Sequence, residues 1–299
     1  MRIESLHDAL NYFPDASGLW NSDDLSTTEM QIESMLQQTK KVEWRLKLAR
    51  VQALQNKMTE ARESLEEVQR MLAAASGGEP GANPVAELRL LLENGRYLAL
   101  SGSVARANDV FAKAWLLAGE TSETYMAIDA ALMLSFTRPQ KAQYEWLQKA
   151  MELASSTQDE EARMWLVQLL VLDGWISFDA RSYEKALTSF ERALLQPSVL
   201  KDERKGFRIL WSKGKTLRAL GHVQEALAIH DSLRISMQKL GKVSGYVYLE
   251  IAECQQLLKL TDDAKANFEL AHTELSLEPW YADNRADELS RMKYLYKKR

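Results

Sequence analysis

Gly174-Trp175-Ile176-Ser177-Phe178-Asp179-Ala180-Arg181-Ser182-Tyr183-Glu184-Lys185-Ala186-Leu187-Thr188-Ser189-Phe190-Glu191-Arg192-Ala193 is the stretch that decides the fold. Its glycine is followed twelve residues later by an alanine, Ala186, and four residues after that by an aromatic, Phe190. Four residues is about one helical turn, so Ala186 and Phe190 share a helix face. The stretch reads as two helices joined by a short turn. Small residues let the helices approach closely where they cross, and the bulky residue fills the groove beside the crossing.

The pattern recurs on both sides. Upstream it gives Ala49, Ala61 and Leu65, then Gly95, Ala107 and Phe111, then Ala130, Ala142 and Trp146. Downstream it gives Gly214, Ala226 and His230, then Ala252, Ala264 and Phe268. Self-similarity of this kind predicts about six stacked helical hairpins. In the third, Thr137-Arg138-Pro139 forces the break between helices. With 6 prolines, 13 glycines and no long alternation of apolar and polar residues, the chain reads as all-helical.

These units resemble the tetratricopeptide repeat family. The fourth is most similar, through Gly174, Tyr183-Glu184-Lys185-Ala186, Phe190, Ala193 and Pro197. The fifth adds Gly214, Leu220-Gly221 and Glu225-Ala226; the second adds Gly95, Ala107, Phe111 and Ala114; the sixth adds Ala252, Ala264, Phe268 and Ala271. The departures are specific. Asn94, Asp173 and Lys213 replace the family's leucine before the glycine, and Leu98, Ser177 and Leu217 replace its tyrosine three residues after. Alanine-to-alanine spacings are 46, 35, 44, 40 and 38 residues, against about 34 in the family. Repeats of this length resemble the helical sensor domains of bacterial signal-responsive regulators. The resemblance implies a right-handed superhelical solenoid over residues 41–279, bacterial origin, and binding of a protein segment by the first helices.

The remaining organisation follows from composition. Residues 76–84, rich in glycine and proline, read as a flexible connector. Residues 1–40 carry seven acidic and two basic residues and no repeat marker, and read as an N-terminal capping segment. Within it a short helix is expected over residues 3–12, and Ser26 with Glu29 as a capping box. Residues 280–299 read as a closing cap with a basic tail, one amphipathic helix running from Ala282 to Tyr296. Solenoids need caps because their terminal faces are otherwise apolar.

Bulk numbers narrow the function classes. A net charge of -4 gives no overall field for nucleic acid. Lys293, Lys297, Lys298 and Arg299 are explained as cations at a helix C-terminus. The single cysteine, Cys254, cannot form an internal disulfide and reads as a buried small residue, which favours a reducing compartment. The N-terminus lacks the basic start and apolar core of a signal peptide, and no apolar run is long enough for a membrane helix. A cytoplasmic protein with no membrane partner is expected.

No catalytic arrangement stands out. Gly214-Lys215-Thr216 resembles the end of a phosphate-binding loop, but Ile209 stands where the loop's first glycine belongs, and the segment reads as helix interior. His7, His222, His230 and His272 have no metal-ligand spacing with one another or with Cys254. Glu160-Glu161 and Asp262-Asp263 fall where helices start, so capping and dipole effects account for them. The expectation is a binding protein, not an enzyme, with no cofactor and no metal.

Helix geometry then places a stripe beside each small residue, at six and three before it and one and four after it. Across the repeats this stripe collects Arg50, Arg89, Arg96, Trp175, Phe178, Arg208, Trp211, Lys215 and Arg218. If exposed, tryptophans among cations suit an acidic peptide with a hydrophobic anchor, arginine gripping the carboxylate through two hydrogen bonds. The alternative is that the tryptophans pack between adjacent first helices and the cations solvate the surface. The acidic, aromatic segment containing Phe13, Asp15, Leu19, Trp20, Asp23 and Asp24 either caps the first repeat or occupies the groove as an internal pseudo-ligand. The expected function is a protein-interaction scaffold or adaptor binding a partner's peptide segment. The alternative is a regulatory sensor for a short peptide or small molecule. A homodimer through stacked ends is compatible with either.

Overall fold

The computed structural model describes residues 19–21, 24–39, 41–75, 77, 82–138, 140–201 and 203–298. All regular structure among them is helical. The six hairpins are Val42–Leu54 with Met58–Ala75, Pro84–Leu100 with Val104–Glu120, Thr124–Thr137 with Gln140–Ser156, Trp165–Asp179 with Tyr183–Leu194, Glu203–Ala219 with Val223–Lys239, and Gly245–Leu257 with Thr261–Ser276. They are called repeats 1 to 6, each with a first and a second helix.

The chain divides into two compact units between Leu169 and Leu170, inside the first helix of repeat 4. Among the described residues, the first helix of the N-terminal unit is Leu25–Gln38, and the unit ends in the short helix Glu160–Arg163 and the first turn of repeat 4. Asp24 caps the opening helix by accepting the Thr27 N–H at 3.0 Å. The expected Ser26–Glu29 capping box does not form, because Asp24 supplies the acceptor earlier and places Ser26 inside the helix. Glu29 instead accepts from Gln55 Nε2 at 2.9 Å and Lys57 Nζ at 2.5 Å, tying this helix to the first turn of repeat 1. Trp20 and Leu25 pack on Ile32, Leu48 and Val51. Trp20 thus covers the first repeat, as a cap does. Phe13, Asp15, Asp23 and the helix expected over residues 3–12 lie outside the described residues, as does most of the connector.

The C-terminal unit holds the rest of repeat 4, repeats 5 and 6, and a closing segment. That segment is two helices, Pro279–Asn284 and Ala286–Lys297, rather than the single helix expected from Ala282 to Tyr296. Arg285, at φ -133° and ψ 32°, breaks them apart. The break lets Tyr281 and Met292 both enter the core around Ala252, Phe268 and Leu275. The Tyr281 hydroxyl donates to Glu288 across it at 2.7 Å.

The sixteen-residue step from small residue to aromatic is the central packing contact. A Cβ at Gly95 would lie 2.4 Å from the Phe111 ring, and one at Gly174 would lie 2.5 Å from the Phe190 ring. At Gly214 the ring is that of His230, 2.5 Å away. Phe111, Phe190 and His230 are fully buried. The first helix ends the same way in five repeats, with a left-handed residue five before the marker alanine. These are Asn56, Gly102, Arg181, Gly221 and Lys259. The next residue's N–H closes the turn onto a carbonyl five residues back, as in Ser182 N to Ser177 O at 2.8 Å. Repeat 3 ends instead at Thr137, where the sequence placed the proline break.

Candidate functional site

The four rows of the stripe behave differently. The row three before the small residue, Leu46, Leu92, Ala127, Val171, Trp211 and Leu249, is buried throughout. The row one after it is buried as far as Trp175, then opens at Lys215 and Glu253. The row six before it reaches the surface at Glu43, Arg89, Gln168 and Arg208. The row four after it is buried at Ala53, Ala99 and Leu134, and opens at Phe178, Arg218 and Gln256. Only part of the expected lining therefore meets solvent.

Trp175 and Trp211 are 2% and 5% exposed, so the expected exposed tryptophans are corrected. They form a ladder between successive first helices. Ring centroids are 5.9 Å apart for Trp175 and Trp211, 6.2 Å for Trp211 and Tyr246, and 5.6 Å for Tyr246 and Tyr281. The Trp211 indole N–H donates to the Tyr246 carbonyl at 3.2 Å. Each such aromatic pair adds about 0.5–1.5 kcal/mol beyond its burial. These rings hold repeats together, which is the packing reading of the aromatic stripe.

Arg50 and Arg96 are corrected in the same way: both are buried. Arg50 Nε donates to Glu93 at 2.9 Å, and Arg50 Nη2 grips the same carboxylate. Arg96 donates to Glu93 at 2.9 Å and to both oxygens of Asp129. Burial alone would raise the Glu93 carboxyl, but Arg50 and Arg96 hold it below its ordinary value. Arg89 stays at the surface and pairs with Glu43.

Glu93 stands two before Gly95, and the arginine it holds stands one after Ala49. The same register recurs in the C-terminal unit. Glu250 stands two before Ala252, and Lys215, one after Gly214, donates to it at 2.8 Å. Arg218 Nε donates to the other oxygen, also at 2.8 Å. We call this arrangement a clasp. The two differ in access. The side chains of Arg50 and Glu93 are 7% and 8% exposed. Those of Lys215 and Arg218 are 28% and 23% exposed over a Glu250 that is 1% exposed. Burial would raise Glu250, yet Lys215 and Arg218 hold it at about 2. It is a fixed anion at neutral pH whose cations keep faces turned to water.

Beside this half-open clasp lie apolar surfaces. Lys215 Nζ sits 5.0 Å from the Trp211 ring centroid, and half-buried Phe178 packs edge-on against Trp175 at 5.4 Å. Arg208 is partly exposed one turn before Trp211. The candidate site is therefore Phe178, Arg208, Lys215 and Arg218, with Trp211 as its floor. It can hold a carboxylate against two cations and an apolar side chain against the half-buried Phe178.

Behind the clasp, His230 is fully buried, and neither ring nitrogen has a hydrogen-bond partner among the described residues. Burial pushes its pKa down to about 4, Arg218 and Lys215 adding to the effect and Glu250 opposing it. Cys254, also buried, is pushed up to about 12 by burial and by Glu250. It is an unreactive packing thiol, as expected. Among the described residues no group of three or more His, Cys, Asp or Glu could hold a metal ion. No described helix is long and apolar enough to cross a membrane. Gly214-Lys215-Thr216 lies inside a helix, as read from the sequence.

The sequence reading missed Glu93, Asp129 and Glu250. A signal was present for the first. Glu93 stands three residues before Arg96, so that turn-spaced pairing was readable, whereas Glu253 stands three after Glu250, whose cations come from the preceding repeat.

No protein-family model and no curated protein matches the sequence. Solved structures do resemble it in fold. The apo form of RapI is 13% identical, with 90% of this chain and 79% of that chain covered at a TM-score of 0.64. The apo quorum sensor NprR from B. thuringiensis is 15% identical, with 91% and 76% covered at a TM-score of 0.63. Its complex with the cognate peptide NprX gives 16%, 90% and 79% at 0.53. A signal-transduction ATPase from Pyrococcus horikoshii with a tetratricopeptide repeat sensor is 13% identical, with 89% of this chain and 41% of that chain covered at 0.65. The six hairpins, their small-residue crossings and these likenesses agree: the chain has the tetratricopeptide-like helical fold, with repeats longer than the usual length.

Proposed function

We propose that this protein is a cytoplasmic, bacterial peptide-binding scaffold whose contact site is the first-helix face of the C-terminal unit. The observation that carries the reading is the half-open clasp. Lys215 and Arg218 are held in place by Glu250 yet stay 28% and 23% exposed beside Phe178 and Trp211. The partner segment is acidic, with a bulky apolar residue near its carboxylates. One carboxylate shares the exposed edges of the two cations, and the apolar residue packs on Phe178. Recognition involves no bond making.

A sensor role is the second reading. It is favoured by the likeness in fold to NprR, a quorum sensor solved with its cognate peptide. On that reading the same face takes a short free peptide as a signal, and occupancy alters how first helices pack along the aromatic ladder.

The test is fluorescence anisotropy with labelled octapeptides carrying two or three acidic residues and one Phe or Leu, against Lys- and Gln-substituted controls. Acidic peptides bind, and the variant Lys215→Gln/Arg218→Gln/Glu250→Gln loses them tenfold or more. Removing all three charges together avoids stranding Glu250 alone in the interior. Equal binding by the triple variant, with its helicity unchanged, overturns the site.

A further inference from the structure

A second feature lies where the closing helix meets repeat 6, apart from the clasp. Gln256 from the end of the first helix, Thr261, Lys265 and Phe268 from the second, and Leu295 and Lys298 from the closing helix enclose an open cavity of about 290 Å³. Its floor is apolar. Phe268 is buried, and Leu295 packs against the same core from the closing helix. Its rim is cationic and polar: Lys298, Thr261 and Gln256 are exposed and Lys265 is half-exposed.

The cations here hold no carboxylate, unlike those of the clasp; Lys298 Nζ lies 5.8 Å from the Tyr294 ring centroid. Neither Lys265 nor Lys298 makes an ion pair among the described residues. No acidic side chain lines the cavity. Nearby carboxylates are engaged or turned elsewhere. Glu253 holds Arg291, whose guanidinium lies 5.9 Å from the Phe268 ring centroid. Asp262 and Asp263 sit in the first turn of the second helix, off the lining. Thr261 opens that sixteen-residue helix, whose positive N-terminal end is offset by Asp262 and Asp263, so the positive charge at the rim is that of the two lysines.

We propose that this cavity binds a small amphiphilic carboxylate, its charged head between Lys265 and Lys298 and its apolar part on Phe268 and Leu295. The volume suits a group of roughly ten heavy atoms, at the lower end of ligand sites. Such a carboxylate comes either from the C-terminal residue of a peptide or from a free organic acid. The site shares no residue with the clasp, so the two proposals stand or fall separately.

The test is isothermal titration of the full chain with three probes: N-acetylphenylalanine, its amide, and octanoate. At least one acid binds saturably, the amide binds at least tenfold more weakly than the acid, and Lys265→Gln/Lys298→Gln weakens the acid at least tenfold. Both lysines are at the surface, so the double variant folds. Binding of N-acetylphenylalanine alone assigns a peptide terminus, and binding of octanoate alone assigns a free acid. The proposal is overturned if neither acid gives saturable heat, if N-acetylphenylalanine binds and its amide binds as tightly, or if the double variant binds as the wild type does.

Discussion

The N-terminal and C-terminal units use one ionic device with opposite access. In both, a glutamate two before a small residue takes the cation one after the small residue of the preceding repeat. Around Glu93 the device is sealed: Arg50, Arg96 and Asp129 are all buried with it. Around Glu250 it is half open, and the aromatic ladder carries the inter-repeat packing instead. Charge on a predicted binding face is therefore no guide to binding until its partners are placed. A sealed clasp specifies how repeats stack. An open one leaves fixed cations that a second carboxylate can reach.

The largest expected effect sets the two apart. Glu93→Ala takes the buried Arg50 off its carboxylate, leaves Arg96 with Asp129 alone, and costs about 3–5 kcal/mol in chemical denaturation. Glu250→Ala leaves cations that can rehydrate, and costs about 1–3 kcal/mol. Equal losses would erase the distinction. Acid should separate the units next. His230 titrates at about 4 in the folded chain against about 6.5 unfolded. The unfolded state thus binds the extra proton first. This contribution is complete above pH 6.5 and is lost as pH falls toward 4, at about 1.4 kcal/mol per pH unit. Glu250, at about 2, adds a second loss only below about 4.5. Melting curves across this range should show His230→Phe, the residue type of repeats 2, 4 and 6, removing the first slope and keeping the second.

A smaller change tests the crossings common to both units. Gly95→Ala and Gly174→Ala each force a ring aside and should cost about 1–3 kcal/mol. A cost at one position only would mean that the crossings are not equivalent. The smallest effect is a gain. Arg181→Gly and Lys259→Gly relieve left-handed backbone in the C-terminal unit and should stabilise it by about 1 kcal/mol. Unchanged melting would mean that those turns carry no strain.

The fold was largely legible because close helix crossings demand small residues at fixed steps, as Gly95 and Gly174 illustrate. The left-handed turns were half legible: Gly102 and Gly221 signal them, but Arg181 and Lys259 adopt the same conformation without a glycine. Helix phase placed a stripe on each first helix, yet it could not say which rows close against the next repeat. Trp175 and Trp211 therefore looked like lining when they are mortar. Arg50 and Arg96 were misread because Glu93 and Asp129, which they hold, come from the next repeat, 43 and 33 residues away in the chain. The division at Leu169/Leu170 falls within one continuous helix and leaves no mark in composition.

The most direct measurement is affinity capture from a bacterial lysate with three baits of equal helicity. These are the wild type, Lys215→Gln/Arg218→Gln/Glu250→Gln in the C-terminal unit, and Glu43→Gln/Arg89→Gln in the N-terminal unit. The account predicts a partner held by the wild type and the N-terminal variant and lost from the C-terminal one. A partner held by the C-terminal variant and lost from the N-terminal one would contradict it.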